Sequence, residues 1–278
     1  MGGEGALSMD TEPLYQAIFK RKSVRNFKPE GLGAKELEQV MAMAKEAVPL
    51  FPDIRTSFKL VGSEDVRGIF KVTAPHYLAI YSEAKEGHMA NAGFLLQQMD
   101  LYLSSKGLGS CWQGGPKPTR GMREHEGLQF VIMLAFGMAD EPVHRGSMSE
   151  FKREPLGKMT VVHGREDLLA AARLAPSGMH NQPWYFTGAD GCVEVHASKS
   201  VDVANMNQIS AGIALCHLRL AGLHQGKRWT WCATRGGQRA PQRAMCTSPR
   251  RASQPETVAA LRFSQSLSGP ASWAIRPP

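Results

Sequence analysis

Two arginines and a serine fall within five residues, as Arg21, Ser23 and Arg25 of the run Arg21-Lys22-Ser23-Val24-Arg25. In extended backbone, alternate residues point to one side. That edge can clamp a phosphate through charge-assisted hydrogen bonds, with Lys22 as a further cation. The same spacing also suits a solvated basic patch beside a helix, and spacing alone leaves both open. A second group, Pro176-Ser177-Gly178-Met179-His180-Asn181-Gln182-Pro183-Trp184, packs four polar side chains between two prolines. Prolines stiffen the backbone, and amides offer donors and acceptors together. This suits the edge of a flat heteroaromatic ring; the plainer reading is a loop that ends a helix. A third group, Cys111-Trp112-Gln113-Gly114-Gly115-Pro116, offers backbone N–H groups where glycine allows close approach. It reads equally well as a turn after a helix.

Other chemistry is thin. His88, His180, His196 and His217 have no carboxylate at catalytic spacing, so no side chain is assigned as acid, base or nucleophile. No Walker loop, Gly-x-Gly-x-x-Gly or nucleophile elbow occurs, and no Cys-x-x-Cys, so no metal site is expected.

The elements that must position these groups follow from apolar spacing. Helices are expected over 14–20, 34–47, 89–105, 165–175 and 210–223, and strands over 57–61, 77–82 and 130–136. Residues 184–188 and 192–197 read as a hairpin. The segment 89–105 is apolar on more than one stripe, the mark of a helix at the centre of a core. It stops at Lys106-Gly107, where the glycine can take a left-handed cap. Ala92-Gly93-Phe94-Leu95-Leu96 resembles Ala211-Gly212-Ile213-Ala214-Leu215, which suggests two related halves, 14–154 and 155–223, behind a loose leader at 1–13.

Composition sets the limits. No apolar run is long enough to span a membrane. Five scattered cysteines do not form a disulfide framework, which favours a reducing, cytoplasmic setting. The net charge of +8 is local: from His224 onward, Lys227 and eight arginines face Glu256 alone, so residues 1–223 are neutral. The remainder, 224–278, lacks apolar periodicity and reads as a disordered basic tail or an out-of-frame translation. Its segment 257–263 is expected to form two helical turns at most. The tail has few aromatics to stack on bases, which argues against nucleic acid as a partner.

Taken together, these segments resemble the FMN-dependent nitroreductase family. The resemblance rests on Arg21 to Phe27, Leu108 to Gly114, Leu134-Ala-Phe-Gly137 with Arg153 beyond it, and Ala171 to Trp184. It implies an α+β fold, with a central antiparallel or mixed sheet wrapped by helices. It implies that Arg21, Ser23 and Arg25, with Arg153, hold the FMN phosphate. Pro176, Ser177 and Gln182, with His180 and Asn181 beside them, would line the ring and ribityl chain. Gln113, Gly114 and Gly115 would present backbone to its reactive face. The arginine run and the proline loop are about 150 residues apart here, and each half keeps one of them. This resembles the branch in which one chain imitates the usual homodimer, with one FMN per chain, as a monomer or weak homodimer. The implied activity passes two electrons from NADH or NADPH to a small acceptor such as a nitroaromatic or quinone. Alternatives are a flavin carrier or sensor without turnover, and a nucleic-acid binder acting through the tail.

Overall fold

The computed structural model describes residues 10–188, 192–198, 204–226, 229–234 and 257–262. The elements run α1 (Thr11–Ile18), α2 (Ala34–Glu46), β1 (Thr56–Gly62), β2 (Val66–Arg67), β3 (His76–Ser82), α3 (His88–Ser105), β4 (Gly109–Gln113), β5 (Lys117–Pro118), β6 (Glu124–His125), β7 (Leu128–Gly137), α4 (Glu166–Arg173), β8 (Trp184–Thr187), β9 (Cys192–Ala197), α5 (Ala204–His224), β10 (Trp229–Thr234) and β11 (Thr257–Arg262).

This is the expected α+β fold, but its strands divide between two main sheets. One is antiparallel, in the order β1-β3-β7-β4, with β6 also on β7. The other runs β10-β11-β9-β8 and is mixed: β8 is antiparallel to β9, whereas β11 is parallel to both β9 and β10. The segment expected to be short and helical at 257–263 is therefore a strand. Six residues are too few for a helix to hold itself in water, and pairing on both sides supplies backbone partners instead. Likewise Cys111–Gln113, the first half of the 111–116 run that could be a turn, belongs to strand β4 (Gly109–Gln113) on β7. Trp229–Thr234, also within the expected tail, is a strand too, β10; residues 227–228, 235–256 and 263–278 and the tip of the 184–197 hairpin lie outside the described residues.

Strand alternation sorts the first sheet's side chains. Leu78, Ile80, Ile132, Leu134 and Phe136 face the main core, while Tyr77, Ala79, Tyr81, Met133 and Ala135 face a smaller core beneath the 66–74 loop. Between the sheets, α3 and α5 are buried all round. Their crossing is reciprocal. A Cβ on Gly93 would stand 2.1 Å from the Ile209 carbonyl oxygen, and one on Gly212 would stand 2.0 Å from that of Ala90. Only glycine lets the two backbones meet so closely. Helix α3 ends as expected: Gly107 takes φ +74°, with Gly107 N–H to the Ser104 carbonyl at 3.1 Å and Leu108 N–H to that of Leu103 at 2.9 Å.

One buried polar link joins α5 to both neighbours. His217 lies within hydrogen-bond distance of the Ala171 carbonyl through Nδ1, at 3.0 Å, and of Gln97 Nε2 through Nε2, at 3.0 Å. The carbonyl can only accept and the amide nitrogen only donate, so the ring is neutral with its proton on Nδ1. Burial lowers its pKa from 6.5 to about 3. Below pH 6.5 the unfolded chain takes up this proton before the folded one does. Stability is thus complete above pH 6.5 and declines toward pH 3, by about 1.4 kcal/mol per pH unit at most for one proton. The thermal midpoint is expected to fall between pH 6.5 and 4, and His217→Gln to flatten that fall; parallel profiles for the two proteins would show that other groups dominate.

Candidate functional site

The arginine run is a ribbon laid between two strands. Arg21 bridges to His144 and Phe27 to Ala139, Val24 N–H reaches the Ser110 carbonyl at 2.9 Å, and Glu141 accepts from the Arg25 and Asn26 amides at 2.7 and 3.1 Å. Alternation then separates the cations. Lys22 turns to Glu141, 3.2 Å away. Arg21 turns inward and is only 2% exposed. Its Nε lies 3.1 Å from Asp100 on α3, and its Nη2 donates to Ser23 Oγ at 3.3 Å. Asp100 accepts in addition from Ser110 Oγ. Arg25 stays exposed.

Two further arginines close on this ribbon from the segment after β7. Arg145 donates to the Arg21 carbonyl and lies 4.1 Å over the Phe151 ring. Arg153 lies 6.0 Å over the same ring and donates to the Leu174 carbonyl at 3.2 Å. Its Nε is buried with no hydrogen-bond partner among the described residues. Burial first, then the charges of Arg21, Arg145 and Arg173, push its pKa down to about 10. Arg145 is lowered by burial and by Arg21. Glu150 opposes that lowering at Arg145, and Asp100 is committed to Arg21.

The proline loop comes to the same place. The pKa of His180 is lowered by burial and then by Arg153, Arg25, Arg145 and Arg21. Direct bonds tie the loop to the arginine cluster: Arg153 reaches the Leu174 carbonyl just before it, and the Glu154 amide reaches Gln182 within it. The loop is held from within: Ser177 Oγ accepts from Gln182 N–H at 2.9 Å, and Gly178 N–H reaches Ser210 Oγ at 3.3 Å. Gln182 is 9% exposed and spends its side chain on the Arg173 carbonyl at 3.2 Å and the Glu154 amide at 2.8 Å. Pro176 is buried, whereas Met179, His180 and Asn181 are exposed. Met179, His180 and Gln182 take φ of 50°, 59° and 44°. Such strain in non-glycine residues collects where function over-determines the backbone.

The glycine loop is joined to the proline loop through one side chain. Met206, at the start of α5, stands 2.6 Å from where a Gly114 Cβ would be and 2.5 Å from where a Gly178 Cβ would be. Gln113 closes β4 with its side chain turned inward. Its Oε1 accepts from Val72 N–H at 3.0 Å, and Nε2 donates to the Trp112 carbonyl at 3.2 Å.

A family model described as "Putative TM nitroreductase" matches residues 13–222. The chain belongs to this nitroreductase family. A "putative nitroreductase" from Thermotoga maritima superposes with a TM-score of 0.56 at 19% identity, over 81% of this chain and 90% of that one. A nitroreductase-family protein from Clostridium difficile 630 gives 0.42 at 17%, over 54% and 96%. One from Clostridium novyi NT gives 0.37 at 16%, over 48% and 87%. None of the curated proteins compared matches the chain.

The residues of this nitroreductase-family chain fit a phosphomonoester. Arg145 and Arg153 crowd over the Phe151 ring beside Arg21, and Arg153 Nε is buried with no hydrogen-bond partner among the described residues. A dianion among them would relieve the repulsion and supply that acceptor. Of the residues expected at the site, Arg21, Ser23, Arg25, Pro176, Ser177, His180, Asn181 and Gln182 lie on the two segments brought together, and Arg153 comes to them from the segment after β7. Gly114 meets them through Met206, with Gly115 beside it. Lys22 and the Gln113 side chain point to partners elsewhere. Sequence reasoning missed Arg145 and Met206. Arg145 stands outside any motif, and only the antiparallel return of 139–144 along the ribbon carries it there.

Proposed function

We propose that this nitroreductase-family chain is an FMN-dependent oxidoreductase, with NADH or NADPH as donor and a small acceptor such as a nitroaromatic or quinone. The observation that carries the reading is geometric: Arg145, bonded to the Arg21 carbonyl, and Arg153, bonded to the Leu174 carbonyl just before the proline loop, share the Phe151 ring. When bound, the flavin supplies the two-electron chemistry, with a hydride equivalent entering from the donor and an electron pair leaving to the acceptor in ping-pong order. The chain supplies position and charge. Arg25, Arg145 and Arg153 hold the phosphate, and Asp100 fixes Arg21 beneath them. Pro176, Ser177, His180 and Asn181 would border the ring and ribityl chain, and Gly114 and Gly115, joined to that loop through Met206, would offer backbone N–H groups. Lys22 and Gln182 brace these segments.

The reciprocal contacts Gly93–Ile209 and Gly212–Ala90 support the reading that one chain imitates a dimer. In a two-fold interface, if one residue meets a second, their counterparts meet in turn. The registers 90/209 and 93/212 obey that rule. One FMN per chain follows, in a monomer or weak homodimer. The unpaired, buried Cys111 and Cys216 accord with a cytoplasmic setting.

The test is spectroscopic. The purified protein is expected to be yellow, with flavin released on denaturation at one per chain, and anaerobic NADH or NADPH should bleach it. A protein that binds FMN yet is bleached by neither donor would be a carrier or sensor. A colourless protein that also fails to take up added FMN would end the reading.

A further inference from the structure

The loop between β2 and β3 carries features that folding does not use. Phe70 is 93% exposed and Ile69 77%. Phe70 also sits at φ 60°, a costly conformation for a bulky residue. It buries almost nothing, so the fold gains nothing in exchange. The loop is nonetheless firmly based. Its stem pairs Val66 with Pro118 and Arg67 with Lys117. Lys71 Nζ donates to the Ser63 carbonyl at 2.6 Å, Val72 N–H to Gln113 Oε1 at 3.0 Å, and the Tyr77 hydroxyl to the Val72 carbonyl at 2.7 Å. An aromatic ring is therefore presented to solvent on a braced tip.

The charges around it are equally unspent. The register sets Arg67 directly opposite Lys117, and like charges in that position repel. Arg67 donates to the carbonyls of Glu64 and Val66. Neither Arg67 nor Lys117 forms an ion pair among the described residues. Burial and the Arg67 charge together lower the pKa of Lys71, with Glu64 opposing. The acids on this stretch, Glu64 and Asp65, precede the stem rather than the tip.

Location joins the loop to the flavin site. The Ile69 carbonyl lies 3.3 Å from where a Gly115 Cβ would be, and Gly114 rests on the Met206 that also touches Gly178. A flat aromatic flanked by cations that form no ion pair among the described residues, next to the proposed flavin site, matches a phosphorylated purine. An exposed ring can stack on the face of a base, and a phosphate dianion would relieve the Arg67–Lys117 repulsion. A second copy of this chain is a poor occupant. Two exposed apolar side chains fall far short of the roughly 800 Å² per partner of a stable interface.

We propose that the 67–71 loop with Lys117 binds the adenosine 2′-phosphate end of NADPH, with Phe70 stacked on the purine and Arg67 and Lys117 on the phosphate. The donor is then NADPH in preference to NADH, an inference that rests on the flavin-reductase reading above. Two measurements test it on the FMN-loaded protein. The ratio of kcat/KM for NADPH over NADH is expected to be at least tenfold, and to fall at least tenfold in the double variant Arg67→Ala, Lys117→Ala. In calorimetry, 2′,5′-ADP is expected to bind more tightly than 5′-AMP, with Phe70→Ala weakening both. All three residues are exposed, so these variants should fold. A ratio near one, or one that the double variant leaves unmoved, overturns the proposal. So does 2′,5′-ADP binding no tighter than 5′-AMP. If neither donor is oxidised, the flavin reading has failed, and the calorimetry still judges this site on its own.

Discussion

Gly212→Ala is expected to lower stability by about 3 kcal/mol or more, and to leave much of the protein insoluble. Intrinsic propensity predicts the opposite sign, because alanine is favoured over glycine by about 1 kcal/mol inside a helix. Tertiary packing decides. The new Cβ would stand 2.0 Å from the Ala90 carbonyl oxygen, which is backbone and cannot rotate away. Relief requires α3 and α5 to move apart, and both are buried along nearly their whole lengths. Such a shift opens voids on every other face. Gly93→Ala should behave alike, through the Ile209 carbonyl at 2.1 Å. Gly121→Ala is the control, since nothing lies within 4 Å of its Cβ position. Denaturant unfolding measures all three. At roughly 2–4 °C per kcal/mol for a chain of this size, the first two should melt about 6–12 °C lower. A Gly212→Ala protein as stable as the control would mean that the two helices do not cross in contact.

The largest effect on ligand binding is expected from the paired change Arg145→Gln, Arg153→Gln. Each guanidinium would give a charged hydrogen bond to the flavin phosphate, a contribution of about 1.5–3 kcal/mol. Losing both should weaken FMN binding by at least a hundredfold. The flavin-free protein should keep its stability within about 1 kcal/mol, because the bonds lost to two carbonyls are offset by removing two mutually repelling cations. That separation distinguishes a binding role from a structural one. Riboflavin sharpens the comparison, since it carries no phosphate. Wild type should bind FMN far better than riboflavin, and the double variant should barely distinguish them. Fluorescence titration gives both constants. An unchanged preference for FMN would place the phosphate elsewhere.

Much of this molecule is legible along the chain, for reasons that can be named. The all-round apolar run 89–105 must be interior, and it is; the Lys106-Gly107 ending must cap a helix, and Gly107 takes the left-handed turn. Arg21, Ser23 and Arg25 stand out because alternation in extended backbone is a local property. Less legible were strands whose partners are remote. Cys111–Gln113 could be a turn until β7 lies beside it, and Thr257–Arg262 looks like a scrap of helix until β9 and β10 flank it. The fates of Lys22, Gln113 and Gln182 were hidden for the same cause. Each has the chemistry of a ligand-binding side chain, and each found its partner on a segment distant in sequence: Glu141, the 72 amide, and the 154 amide.

By itself the sequence determined the pieces: which segments are buried helices, where they are capped, and which short runs hold the cations and amides. Those follow from forces acting within a few residues. Only the tertiary structure decided how the charges are shared, giving Arg21 to Asp100, turning Lys22 away and bringing Arg145 in beside Arg153. Electrostatic interaction depends on distance through space and on burial, and neither is a property of position along a chain.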